Sequence, residues 1–177
     1  PPHRHSAQGM DAMKFGNKLT YTKKGELRIG AEDACQQENL TRVAAYFDEI
    51  QMPYTLEEDI LHRLWGKFML NVGVNQTCMA YETNYGGALR EGSEANETML
   101  AAMREVIALA NAEGIHLTET DLDEYIAILR TLSPEGMPSM RQDGVSRRPS
   151  EVEMFAGTVI PMAWPATGYL CLPIHFI

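Results

Sequence analysis

From about residue 36 onward, large apolar side chains recur every three or four positions, the period of an amphipathic helix. Leu40, Val43, Ala44, Phe47 and Ile50 mark a first helix, stopped near Pro53. A second is expected from about Leu56 to Cys78, on a stripe of Ile60, Leu61, Leu64, Trp65, Phe68, Met69 and Val72. That stripe is broad enough for a mostly buried helix. The stretch ETNYGGALREG holds three glycines and reads as a loop around one helical turn. Ser93 is placed to cap the next helix, with Met99, Leu100, Met103, Val106, Ile107 and Ala110 on its core face and Gly114 marking its end. Thr118 is placed to cap another, with Leu122, Tyr125, Ile126 and Leu129 inward. A short helical piece, SMRQD, follows Pro138, with Ser139 as its cap. The last helix enters at Pro149 or Ser150, buries Val152, Phe155, Ala156, Val159 and Ile160, and is expected to kink or end at Pro161.

Ahead of these helices, residues 18–30 (KLTYTKKGELRIG) alternate apolar and polar on both sides of KKG, a hairpin signature. Two strands alone are marginal in water, so such a hairpin needs a sheet to join. No strand–helix–strand alternation is visible in the pattern. The chain opens on proline, which reads as a leader remnant or a fragment boundary, and residues 1–17 are set aside as a leader or disordered segment. The expected architecture is an all-α helical bundle over 35–177, preceded by a short N-terminal β-hairpin and linker over 18–34.

Composition narrows the function classes. Apolar residues make up 45% of the 177 and charged residues 22%, the ordinary globular range. A formal charge of −9 argues against a broad nucleic-acid or anionic-membrane surface. An anionic small molecule would need a local positive spot. Cys35, Cys78 and Cys171 are odd in number and scattered, which speaks for a reducing cytoplasm and against a disulfide framework or a metal site. No apolar run is long enough to span a membrane.

Two polar clusters stand out against the apolar stripes. Lys67, Asn71 and Asn75 are each four residues apart on the buried-looking helix, a ladder that drifts by roughly 40° per step. An unpaired polar group in such a place costs on the order of 1–3 kcal/mol. The ladder therefore either bonds neighbouring backbone, with the lysine snorkelling, or forms a wall facing a cleft. A lysine partly removed from water is a competent proton donor near neutral pH. The second cluster, PSMRQDGVSRRPSE, sets Ser139 and Asp143 four apart and Glu151 at the entry to the last helix. Taken singly these are a cap, a surface charge and a residue favouring the helix dipole.

Together, LWGKFMLNVGVNQ and SMRQDGVSRRPSE resemble the signature of the ketopantoate reductase (2-dehydropantoate 2-reductase) family. That signature is Lys-x₃-Asn-x₃-Asn on a long helix and, well downstream, Ser-x₃-Asp-x₇-Glu, and both spacings are met by Lys67, Asn71, Asn75, Ser139, Asp143 and Glu151. GELRIG in the hairpin and the Gly168 to Pro173-Ile174 stretch also fit. The resemblance covers residues 18–177 as the family's C-terminal part.

The resemblance implies a helical domain like the C-terminal domain of 6-phosphogluconate dehydrogenase, preceded in the whole enzyme by a Rossmann domain, with the site in the cleft between. The implied reaction is the NADPH-dependent reduction of ketopantoate to pantoate, in the cytoplasm, on the way to pantothenate and coenzyme A. By the same resemblance Lys67 is the general acid and Glu151 orients it or the cofactor side. Asn71 and Asn75 bond the substrate's oxygens, Ser139 binds its carboxylate or hydroxyl, and Asp143 supports that end of the cleft. Asn84 is the nearest candidate for a further family asparagine. No G-x-G-x-x-G is present, so NADPH belongs to the full-length enzyme and none is expected on this chain alone. The expected partner is a small anionic 2-oxoacid, with a homodimer through the helical domain or the hairpin edge as the assembly left open. The alternatives are a helical interaction domain without catalysis, or a reductase of another small 2-oxoacid.

Overall fold

The computed structural model describes residues 4–8, 11–15, 17–23 and 25–167. The Gly168 to Pro173-Ile174 match and Cys171 lie outside the described residues. The chain divides into two compact units, residues 1–64 and 65–177.

The first unit is built on strands. β1 (Arg4–Gln8) and β4 (Glu26–Gly30) pair antiparallel, and β4 pairs in parallel with β5 (Tyr54–Leu56), giving a sheet ordered β1-β4-β5. β2 (Asp11–Phe15) and β3 (Lys18–Lys23) form a separate antiparallel pair. Both strands expected in 18–30 are present, but they do not pair with each other, which corrects the hairpin reading. Each takes a partner from residues 4–15, a segment set aside as a leader. The alternation of apolar and polar residues locates a strand; it does not say which neighbour completes the ladder.

Helix α1 (Gln37–Glu49) connects β4 to β5, so the unit contains a strand–helix–strand crossover that the pattern did not reveal. The second strand is only three residues long and gave no periodic signal. Leu27 N–H donates to the Pro53 carbonyl at 3.1 Å and Glu57 N–H to the Ile29 carbonyl at 2.8 Å, extending the parallel pairing at both ends. Gly30 is required where it stands, because a Cβ there would come within 2.6 Å of the Ile60 Cβ. Arg28 ties the sheet together, bonding Glu57 and pairing with Glu26 at 2.8 Å.

The second unit is all helical. α2 (Ile60–Leu70) continues through a π turn (Asn71–Asn75) into α3 (Gln76–Ala80). α4 (Tyr85–Ala88) is the single turn expected in the glycine loop. α5 (Glu94–Ala112) is capped by Ser93, whose hydroxyl accepts from Asn96 N–H at 3.2 Å, and Gly114 follows it at a φ of +80°. α6 (Glu119–Arg130) is fixed at its start by Asp121, which accepts from the Thr118 N–H at 2.8 Å. α7 (Ser139–Val145) begins with Pro138 at the cap position, so Ser139 is the first helical residue and not the cap. α8 (Val152–Thr167) runs through Pro161 instead of ending there. Pro161 is exposed and deprives only the Gly157 carbonyl of its donor, a loss that water can make good.

The core of this unit is the side of the α2–α3 run that faces α5, closed by α6, α7 and α8. Met69, Met99, Met103, Val106, Ala110 and Cys78 are fully buried within it. Glycines let the helices approach: a Cβ on Gly66 would come within 2.6 Å of the Tyr125 ring, and one on Gly73 would overlap the Met103 side chain and lie 3.2 Å from the Met99 carbonyl. Gly73→Ala is therefore expected to destabilise the protein by about 1–3 kcal/mol, the usual size of an overpacked core. Denaturant unfolding checks this, and an unchanged midpoint would mean that α5 does not press on the turn.

Candidate active site

The polar ladder sits where the sequence pattern put it, along α2 and the π turn. Lys67 lies in the last turn of α2, half-buried; Asn71 is half-buried; Asn75 is 5% exposed. The steady ladder drift expected of a uniform α-helix is corrected by the π turn. A π turn winds more slowly than an α turn, at roughly 80° per residue against 100°. The step from Asn71 to Asn75 thus turns back by nearly the angle that the step from Lys67 to Asn71 overshot. Lys67 and Asn75 end on the same side of the helix, where uninterrupted α winding would leave them roughly 80° apart.

The residues after the turn explain how it is held. Gln76 Nε2 donates to the Val72 carbonyl at 2.9 Å, in the interior. Gln76 and Thr77 are 2% and 1% exposed, and neither the Gln76 Oε1 nor the Thr77 hydroxyl has a hydrogen-bond partner among the described residues. Cys78 is fully buried beside them, and desolvation pushes its thiol up to about 12, opposed only slightly by the charge of Arg141.

The second cluster is carried by α7 and the start of α8. α7 packs on α3 and on the π turn, and α8 also reaches the π turn. A Cβ on Gly144 would strike Met79, and Phe68, next to Lys67, meets Phe155 of α8 with ring centroids 6.4 Å apart. The elements bearing the two clusters are thus neighbours within one unit. Ser139 is exposed at the start of α7. Asp143 is half-buried and accepts from Arg148 Nε at 2.9 Å. Glu151 is exposed, and its carbonyl accepts from Met154 N–H at 2.9 Å and Phe155 N–H at 3.2 Å. Among the candidate groups Asn75 is buried, Lys67, Asn71 and Asp143 are half-buried, and Ser139 and Glu151 are exposed.

Asn84 has a different setting. Its Oδ1 accepts from Gly87 N–H at 3.0 Å, capping α4, and its Nδ2 donates to Glu135 at 3.1 Å. Both ends of the carboxamide are committed to holding this loop. Two groups that the spacing argument passed over belong to the neighbourhood. Gln76 continues the polar run of the ladder, and a buried amide directly after Asn75 was the available signal. Arg141 lies between Ser139 and Asp143 with a side chain 16% exposed, 3.8 Å from Glu82. Its Nε is buried without a hydrogen-bond partner among the described residues. No cluster of three or more metal-ligating side chains exists among the described residues.

A dinucleotide does not fit the β4–α1–β5 crossover. The loop between β4 and α1 lacks the glycine pattern and carries Glu32 and Asp33, acids where a pyrophosphate would need backbone N–H groups and positive potential.

Comparison with known proteins gives relatives over most of the chain. Residues 59–166 match the family model described as ketopantoate reductase PanE/ApbA C terminal. The 2-dehydropantoate 2-reductase of Halobacterium salinarum is 32% identical over 141 residues, covering 78% of this chain and 45% of the relative. That of Streptococcus pyogenes is 26% identical over 136 residues, covering 76% and 44%. The chain therefore spans a little under half the length of these curated relatives. Among solved structures, a dimeric ketopantoate reductase from Staphylococcus aureus superposes with a TM-score of 0.73 at 22% identity, covering 91% of this chain and 55% of the other. A D-mandelate dehydrogenase determined with NADH gives 0.74 at 16%, covering 92% and 55%. At these identities the structural matches establish the fold.

The buried thiol gives a check on the core beside the site. A folded-state value raised from 9.0 to about 12 means that the folded protein keeps the Cys78 proton while the unfolded chain releases it. The stabilisation is complete below pH 9.0 and is lost as pH rises toward 12. Unfolding free energy should fall more steeply over that window in the parent protein than in Cys78→Ala, and Cys78 should resist alkylation at pH 8 until the protein unfolds. Equal slopes would place the thiol in contact with water.

Proposed function

The chain belongs to the ketopantoate reductase family, and on that premise we propose that it is the substrate-binding and proton-donating part of an NADPH-dependent 2-dehydropantoate 2-reductase. The observation that carries the reading is the half-buried lysine and its two asparagines on a helix packed directly against the element bearing Ser139 and Asp143.

In this reading NADPH, held by a nucleotide-binding part of the whole protein, would supply the hydride to the keto carbon. What the chain itself provides is the proton and the binding wall. Lys67 holds a proton at the ketone oxygen and gives it up as that oxygen becomes an alkoxide, so the product is the 2-hydroxyacid and the lysine is left neutral. Its positive charge also stabilises the developing negative oxygen, often the dominant contribution to such catalysis. Asn71 and Asn75, brought to one side by the π turn, donate to the substrate's oxygens. Ser139 at the rim takes the carboxylate or hydroxyl, and Glu151 orients the lysine. Asp143, bound to Arg148, fixes that end of the cleft. Asn84 is left out of the ligand set, since its carboxamide is committed to Gly87 and Glu135.

A chain of formal charge −9 binds an anionic 2-oxoacid only at a local concentration of positive charge. In this reading Lys67 and Arg141 supply it, since Arg148 is engaged by Asp143.

In a protein carrying this chain together with a nucleotide-binding domain, Lys67→Ala is expected to lower kcat for ketopantoate reduction at least about a hundredfold, the effect of losing a positioned acid. An unchanged kcat would remove Lys67 from that role. The 177 residues alone are expected to give no NADPH-dependent turnover, and measurable turnover would mean that they hold the cofactor after all.

A further inference from the structure

We propose that Gln76 is a positioning residue whose buried side-chain amide holds the π turn that brings Asn75 into line beneath Lys67. The inference rests on the reading of Lys67, Asn71 and Asn75 as the substrate wall, and it names what gives that wall its shape.

A helix interrupted by a π turn departs from the regular i→i−4 pairing, so carbonyls within the turn need other donors or remain unpaired in the core. Here the Val72 carbonyl, inside the turn, receives the Gln76 Nε2 at 2.9 Å, while the Gln76 backbone N–H goes to Gly73. The side chain thus stands in for a backbone donor. Uninterrupted α winding would pair the same carbonyl with the backbone N–H of residue 76 and leave the carboxamide with nothing to do.

The arrangement is costly, which is the second part of the argument. Gln76 is 2% exposed, and its Oε1 has no partner among the described residues. A methionine of similar length would fill the same space without burying an unpaired oxygen. A buried polar group left half-satisfied marks a constraint other than packing. The constraint visible here is the winding of residues 71–75. Gly73 lets α5 close on the turn, since a Cβ at that position would overlap the Met103 side chain.

The consequence for the site is angular. With the π turn, Lys67 and Asn75 lie on one side; with α winding across the same residues, Asn75 rotates away by roughly 80° and its carboxamide leaves the wall. Asn71 keeps its place in either case, so the loss is specific to one ligand.

The test is Gln76→Met in the full chain, read in three ways. Its thermal unfolding is expected to stay cooperative, with a midpoint at or above the parent's. Its crystal structure is expected to show residues 71–75 in α winding. Calorimetric titration with ketopantoate is expected to give an affinity at least tenfold weaker than the parent's, a change that a residue serving only stability would not produce at an unchanged midpoint. A π turn that persists in Gln76→Met, or an α-wound variant that binds ketopantoate as tightly as the parent, overturns the proposal. If the parent itself binds no ketopantoate, the assignment of the wall to substrate fails, while the winding seen in the variant still decides the role of Gln76. Should Gln76→Met not fold, the parent's through-bond NMR coupling between the Gln76 side-chain amide and the Val72 carbonyl decides instead. Its presence, with the amide signal shifting on ketopantoate addition, supports the role, and its absence refutes it.

Discussion

The run from Ile60 to Ala80 must be buried and polar at once, and the arrangement of residues 65–177 follows from that conflict. Burial is forced by Trp65, Phe68, Met69, Val72 and Val74, and by Gly66 and Gly73, which make room for the Tyr125 ring of α6 and for Met103 and the Met99 carbonyl of α5. The ladder residues are progressively drawn in along the same run, with Lys67 and Asn71 half-buried and Asn75 buried. A straight α-helix cannot keep three residues at a spacing of four on one line. The π turn removes the discrepancy, at the cost of a carbonyl that Gln76 must satisfy. α7 then packs on this same run through Gly144 and Met79, so the helix bearing Ser139 and Asp143 lies against the one bearing the ladder.

Much of the helical unit was legible from spacing alone. Ser93, Thr118 and Gly114 mark helix ends because caps and left-handed residues are local chemistry, written in one or two side chains. The core faces of α5 and α6 followed from period, since nothing competes with burial along a long amphipathic stripe. Where reading failed, the deciding interaction lay far away in the chain. β4 pairs with residues 4–8 and 54–56, and neither partner leaves a mark in GELRIG itself. Pro161 sits inside α8 because its side of the helix is exposed, a fact of tertiary placement.

The candidate site was legible in a narrower sense. Residue types and spacings singled out Lys67, Asn71, Asn75, Ser139, Asp143 and Glu151, and resemblance gave them roles. Asn84 shows the limit of that reasoning: an asparagine in the right stretch of sequence is spent on a cap and on Glu135. Gln76 shows the converse. Its position carried no motif, and only the bond to Val72 reveals that it shapes the ladder. The family model spans both clusters, and the chain covers under half the length of its curated relatives.

All of this depends on two separated polar clusters addressing one small anion. The most direct measurement follows the amide and side-chain NMR signals of the isotope-labelled chain as ketopantoate is added. The account predicts that signals from Lys67, Asn71 and Asn75 move together with those of Ser139, Asp143 and Glu151, along a single binding curve. Shifts confined to one cluster, or scattered over the surface without saturation, would contradict it.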